Sequence, residues 1–355
     1  MLPASITFLP STTLRRRDYG LLFFLALSVA ILVAALQPVP GYMDADYYYA
    51  DGKQLASGHG FSDPFLWNYL DNPQGLPHPS NSYWYPLASL IAAGGMLLTG
   101  RIDFISARIG FVLMAALAPL VVTFLAYRVS GRRSQAIIAG LLTIFCAYYL
   151  PFIATTDNYS LYLLLGGLYF LLLDKLTKPG VLLLGILAGF LNLARGDGLI
   201  WLPFTLIAVT YLAMKKPPSV STSGRILRAV KNNSLTLAGY LLVMGSWFVR
   251  NLIVFGTIIP PGAGYVLWMT SYNQLYSFTP QVFTFQSWLA SGLLEVMKVR
   301  ASALWQNLGT AFFAQGMIFL VPLIILGGWK NRHLFFVQFG FLGWLGIFFS
   351  ERYEP

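Results

Sequence analysis

Two carboxylates two residues apart, Asp44 and Asp46, stand in the run Tyr42-Met-Asp-Ala-Asp-Tyr-Tyr-Tyr49, just beyond the first long apolar segment. Charge so close to a bilayer is costly and marks a functional site by default. A carboxylate there can act as a general base or help hold a cation. The stretch that follows, 37–83, also carries Asp51, His59, Asp63, Asp71 and His78, interleaved with Trp67 and Tyr69 and running into Tyr83, Trp84 and Tyr85. Rings that stack on sugar faces beside acids that bond hydroxyls make a carbohydrate site one reading. An interfacial aromatic belt with solvated acids is the other.

Three further constellations lie at helix ends. In Ala154-Thr-Thr-Asp157-Asn158, Asp157 is either a site acid or the N-cap of the apolar run that begins at Tyr159, and the two roles are compatible. Asn158-Tyr-Ser160 also fits a glycosylation sequon, although it abuts the membrane. In Asn192-Leu-Ala-Arg195-Gly-Asp197-Gly198, Arg195 and Asp197 are expected to pair. In Trp247-Phe-Val-Arg250-Asn251, the arginine either snorkels or holds a lipid phosphate, which suits its planar fork.

The elements that must position these residues are membrane helices. Of the 355 residues 57% are hydrophobic and 10% charged, and the mean hydropathy is +0.65. A soluble chain of this length needs far more polar surface. One cysteine, Cys146, excludes an internal disulfide and reads as a buried, inert thiol. The net charge of +10 sits at the ends of apolar runs, as topology requires, rather than in a patch suited to nucleic acid. Apolar segments fall at about 20–36, 84–99, 104–128, 134–151, 158–174, 179–195, 197–214, 234–254, 303–328 and 334–350. The longer polar stretches are 37–83, 215–233 and 255–301. Arg15-Arg16-Arg17 before the first apolar run resembles a signal peptide, but an uncleaved first helix is expected.

The short segment 84–99, with Pro86 and Gly94-Gly95, decides the topology. If it lies in the interface, fifteen of the 23 Lys and Arg fall on one side, as the positive-inside rule demands; if it spans, the rule is violated. The expected architecture is therefore an all-α integral membrane bundle of about nine spanning helices forming one domain over 1–355. Its first outer loop, 37–103, carries juxtamembrane helices, including the interfacial helix 84–99, and a second large outer loop covers 255–301. The N-terminus is expected in the cytoplasm of a plasma (inner) membrane. Asp44, Asp46 and Asp157 then share the outer face.

Four motifs in this order resemble the GT-C superfamily of polytopic membrane glycosyltransferases, close to the protein mannosyltransferase and aminoarabinose transferase (glycosyltransferase family 39-like) group. They are Asp44-Ala-Asp46-Tyr-Tyr with Ala56-Ser-Gly58-His-Gly60-Phe61 downstream, then Tyr83-Trp-Tyr-Pro86-Leu before a short juxtamembrane helix. The third is Asp157, and the last is Arg250-Asn251 with Phe255-Gly256. The resemblance implies inverting transfer of a sugar from a polyprenyl-phosphate donor to a lipid, glycan or protein acceptor at the outer face. The first-loop acid is the implied base, Asp44 first and Asp46 second. The second-loop acid, at Asp157, helps place the acceptor or a divalent Mg or Mn ion, with Asp44 as the other ligand of such an ion. The expected substrate-binding residues are Asp157, His59, His78, Trp84, Tyr85, Arg195, Arg250 and Arg352. Glu351-Arg352-Tyr353-Glu354-Pro355 resembles an element that precedes further helices in this group, so a shortened or incomplete C-terminal part is expected. A secondary transporter or lipid flippase is the alternative reading, because acids and arginines in membrane helices also mark transport routes.

Overall fold

The computed structural model describes residues 13–173, 177–215, 221–315, 318 and 320–350. In chain order the helices are α1 (Arg16–Leu36), α2 (Met43–Ala56), α3 (Leu87–Thr99), α4 (Phe104–Ala107), α5 (Ile109–Ser130), α6 (Arg133–Ile144), α7 (Asn158–Leu172), α8 (Lys178–Ala194), α9 (Trp201–Met214), α10 (Thr222–Phe255), α11 (Pro261–Val266), α12 (Phe285–Ala290), α13 (Leu293–Thr310), α14 (Val321–Lys330) and α15 (Phe335–Ser350). The described β-structure is one antiparallel pair of two-residue strands, β1 (Ser62–Asp63) and β2 (His78–Pro79).

The protein is an integral membrane protein by length and composition. Four described helical segments are long and apolar enough to cross a bilayer: Arg16–Leu36, Phe104–Ser130, Gly196–Met214 and Thr222–Phe255. Five shorter apolar helices accompany them: α3, α6, α7, α8 and α14. The segment read as continuous over 134–151 breaks at Ile144 and continues as a 3₁₀ turn over Ala147–Phe152, which holds Pro151. The segment read over 303–328 is also divided, with α13 passing into a π-turn at Ala311–Gln315 and α14 beginning only at Val321. Part of the polar stretch 215–233 is helical, because α10 begins at Thr222 behind the N-cap Ser221, whose side chain accepts from the Gly224 amide.

α8 packs along α10 through glycines. A Cβ on Gly185 would collide with the Thr236 carbonyl, and one on Gly239 with the Leu182 carbonyl. Removing side chains at these crossings lets two backbones approach, which is how membrane helices associate where water supplies no driving force. Tyr169, Leu184, Leu191, Tyr240 and Met244 fill the core around this pair.

Two polar ties set the arrangement of α1, α5 and α6. At one end, Arg108 Nη1 donates to the Gln37 carbonyl at 2.7 Å, joining the start of α5 to the end of α1. At the other, Arg133 grips Asp18 with both arms, Nε to Oδ2 at 2.8 Å and Nη2 to Oδ1 at 2.5 Å. The chain therefore leaves α1 and enters α5 at the same end of the bundle. α2 and α3 lie between these two points in sequence, packed against each other.

Candidate active site

The Tyr-rich run is helical because its N-terminus is well made. Tyr42 is extended at the N-cap, and Asp44 and Asp46 fall in the first turn of α2, where acids oppose the positive end of the helix dipole. Helical geometry then sorts the residues. Residues four apart share a face, so Asp44 aligns with Tyr48 and Tyr47 with Asp51, whereas residues two apart diverge. Asp44 is half-buried and Asp46 is exposed on a different side, where partial burial still raises its carboxyl above the ordinary range.

The Tyr48 face meets the loop between α6 and α7. Three consecutive residues of that loop bond to the start of α2. Thr156 Oγ1 donates to the Ala45 carbonyl at 2.8 Å, Tyr42 donates its hydroxyl to Asp157 Oδ2, and Asn158 Nδ2 donates to Tyr48 Oη at 2.8 Å. Asp157 is also the N-cap of α7, accepting from the Asn158 amide at 2.5 Å. Burial raises its pKa, opposed by the Tyr42 hydroxyl, the Asn158 amide and the charge of Arg195. The charges of Asp44 and Asp157 both act on the hydroxyls of Tyr42, Tyr48 and Tyr159, and Arg195 acts on Tyr48, Tyr159 and Asp157. Asp44 of α2, Asp157 at the start of α7 and Arg195 at the end of α8 thus act on the same tyrosine hydroxyls from three separate elements. Asn158 is 5% exposed and engaged with Tyr48, so the sequon is closed to modification in this fold.

Arg195 also forms the expected pair, Nε to Asp197 Oδ1 at 3.0 Å, in a turn where Gly196 packs on the Tyr85 ring. Tyr85 is itself buried against Trp247.

The Tyr47 face builds a second nest. Tyr47 donates to Asp63 Oδ2 at 2.9 Å and accepts from the Asn81 amide at 2.8 Å. Its ring stacks on Trp84 at 5.0 Å, with Trp67 edge-on to both. Trp84 is therefore a packing residue beneath the loop. His78 Nδ1 pairs with Asp71 Oδ2 at 2.7 Å and its Nε2 faces the Phe65 carbonyl at 3.1 Å. Burial works against the imidazolium, but the Asp71 bond and charge leave the His78 pKa raised. His59 is exposed just past the end of α2, its carbonyl accepting from the Ser62 hydroxyl.

Asp51 is fully buried; Ser80, Asn81 and Ser89 surround its carboxylate without reaching full hydrogen-bond geometry. Desolvation raises it, and it also raises Asp63, to about 7, with the charge of Asp51 adding to the effect. Arg250 closes this nest from α10. Its Nη2 donates to the Ser80 carbonyl at 2.7 Å and its Nη1 to Asn251 Oδ1 at 3.1 Å. The guanidinium lies over Trp247 and Phe255, each at 4.8 Å, and over Phe61 at 5.6 Å. Arg250 therefore pins the first loop to α10, a role that neither snorkelling nor phosphate binding covers.

Residues of the 255–301 stretch cover the site end. Tyr276 Oη approaches Met43 Sδ at 3.9 Å, one residue before Asp44, and Ala263 donates its amide to the Ser82 carbonyl at 2.9 Å. Arg352 lies outside the described residues.

Among the described residues no group of three or more His, Cys, Asp or Glu converges as a metal cage. Asp44 and Asp157 offer carboxylate oxygens, and Asn158, next to Asp157 in the chain, adds a buried side-chain oxygen with no hydrogen-bond partner among the described residues. All three are hard oxygen donors. Mg²⁺ and similar ions are commonly held by one or two carboxylates and completed by water or phosphate, so the residues fit such an ion.

No family model and no curated protein matches the chain. Three solved structures are similar to it. The archaeal oligosaccharyltransferase AglB from Archaeoglobus fulgidus, in complex with an inhibitory peptide and a dolichol-phosphate, aligns with 85% of this chain and 38% of its own at 17% identity, TM-score 0.47. The Archaeoglobus fulgidus oligosaccharyltransferase in its apo form aligns with 80% of this chain and 39% of its own at 17% identity, TM-score 0.44. The same enzyme tethered to an acceptor peptide aligns with 91% and 38% at 16% identity, TM-score 0.46. The chain thus spans under two fifths of the length of the solved structures it matches.

Proposed function

We propose that the chain is an inverting glycosyltransferase that moves a sugar from a polyprenyl-phosphate donor to an acceptor at the outer face of the membrane. The observation that carries this reading is that Asp44, Asp157 and Arg195 all act on the hydroxyls of Tyr48 and Tyr159 at one end of an apolar helix bundle. An isoprenoid donor is confined to the bilayer, so its phosphate and sugar are presented at the membrane surface, where these residues lie.

The chemistry follows from the groups present. Asp44, half-buried at the start of α2, takes the proton of the attacking acceptor group. The displacement is direct and inverts the anomeric carbon, so it needs no covalent enzyme nucleophile. Asp157, held by Tyr42, orients the acceptor beside Asp44. Arg195 supplies positive charge toward the departing phosphate, and transition-state charge of this kind is where fixed cations contribute most. A divalent ion, if bound here, would be held by Asp157, Asn158 and Asp44 and would supply positive charge for the leaving group. Arg250 and the nest below it keep the first loop against α10, and the aromatic cluster around Trp84 and Tyr85 excludes water from the site floor. Asp46, exposed on another side of α2, is secondary.

This reading places the protein in the plasma (inner) membrane with its N-terminus in the cytoplasm. It is tested by incubating purified protein with radiolabelled polyprenyl-phosphate sugars and following loss of label from the lipid. Movement of intact labelled lipid between leaflets, with no release, would support a flippase instead.

A further inference from the structure

We infer that Tyr42 is the positioning residue that holds Asp157 in register with Asp44. The inference rests on the reading of these two acids as the reacting site.

The geometry is specific to the hydroxyl. Asp157 belongs to the loop before α7, whereas Asp44 belongs to α2, so nothing in the local chain fixes one carboxylate relative to the other. Asp157 Oδ1 is tied to its own helix through the Asn158 amide. Its Oδ2 is the oxygen free to be aimed from outside, and Tyr42 takes it. Tyr42 is two residues before Asp44 and is the N-cap of the same helix, so a displacement of α2 carries the Asp157 partner and the base together. The Tyr42 ring is steadied edge-on by Phe152 at 5.3 Å. The flanking bonds from Thr156 to the Ala45 carbonyl and from Asn158 to Tyr48 fix the loop backbone but leave the Asp157 carboxylate free to rotate. The Asn158 amide holds one oxygen of the carboxylate, and the Tyr42 bond fixes the other from the α2 side; a displacement of about 1 Å at a catalytic group can lower turnover about 100-fold.

Tyr42→Phe removes the hydroxyl and keeps the ring. Per folded molecule, kcat is expected to fall at least about tenfold with the donor KM changed less than about twofold, because contacts to the donor are untouched. In an Asp157→Ala background, Tyr42→Phe is expected to cause less than about a twofold further loss of kcat, since the carboxylate it aims is gone. The unfolding midpoints of wild type, both single variants and the double variant give the same cycle without turnover: the double variant should lose less than the sum of the singles. Wild-type kcat in Tyr42→Phe, or an equal loss in both backgrounds, would overturn the assignment. If wild type released no sugar, the functional reading would fail. The unfolding cycle would then still decide the pairing, with additive midpoints ending it.

Discussion

Arg108 reaches 2.7 Å from its guanidinium to the backbone carbonyl of Gln37, 71 positions earlier in the chain. An arginine that is 6% exposed and bonded to the last turn of another helix fixes which ends of α1 and α5 are neighbours. With Arg133 gripping Asp18 at the opposite end, Ser130 must lie on the side where α1 begins. In a Cys146→Ala background, a cysteine at Ser130 is therefore expected to react with an impermeant thiol reagent only after cells are opened. Labelling in intact cells would reverse the proposed orientation.

Asp46 shares a motif with Asp44 but not a face of α2. Asp46→Asn should retain turnover within about threefold of wild type, because the exposed carboxylate touches neither Asp157 nor Arg195 and surface changes rarely cost more than about 0.5 kcal/mol. A loss comparable to that of Asp44→Asn, measured by initial rates of sugar release, would reassign the base.

Arg250 holds two hydrogen bonds and lies among three aromatic rings. Arg250→Ala is expected to destabilise the protein by about 2–4 kcal/mol, from lost charge-assisted bonds and cation–π contact. Lysine at this position should recover little, since it lacks the planar fork. The check is the thermal midpoint in detergent. An unchanged midpoint with a raised donor KM would return Arg250 to the phosphate.

Asp63 gives the nest a pH signature. Burial and the charge of Asp51 push its folded pKa up from the ordinary aspartate value of 3.8 to about 7. Between those values the native state binds a proton that the unfolded chain does not, so stability falls as pH rises through this window. The full cost above pH 7 is on the order of 4 kcal/mol. Asp63→Asn should therefore flatten the decline between pH 4 and 7 and be more stable than wild type at pH 8. Parallel stability–pH curves for the two proteins would refute the assignment.

Apolar runs located most of the helices, because hydropathy reports what must face lipid. Their ends were less legible. The 134–151 run hides a break at Ile144, and α10 begins well before its apolar part, at a polar N-cap that carries little hydropathy. Asp44 and Asp157 were both visible as acids at helix mouths. The division between Asp44 and Asp46 was not, although once α2 is taken as helical their two-residue spacing separates them and the four-residue spacing of Asp44 to Tyr48 joins them. Tyr42 escaped notice as a functional residue because its partner lies 115 positions away. Arg250 was singled out, but its cage is assembled from Phe61, Ser80 and Trp247, and no local pattern announces a contact between such distant stretches.

Asp44 is the proposed base of a lipid-linked sugar transfer. Its most direct test compares wild type and Asp44→Asn, both folded to the same unfolding midpoint within a few degrees, for release of label from a polyprenyl-phosphate sugar in the presence of acceptor. Release by wild type and a loss of about 100-fold or more in Asp44→Asn is the predicted result. Release by Asp44→Asn at the wild-type rate would contradict it.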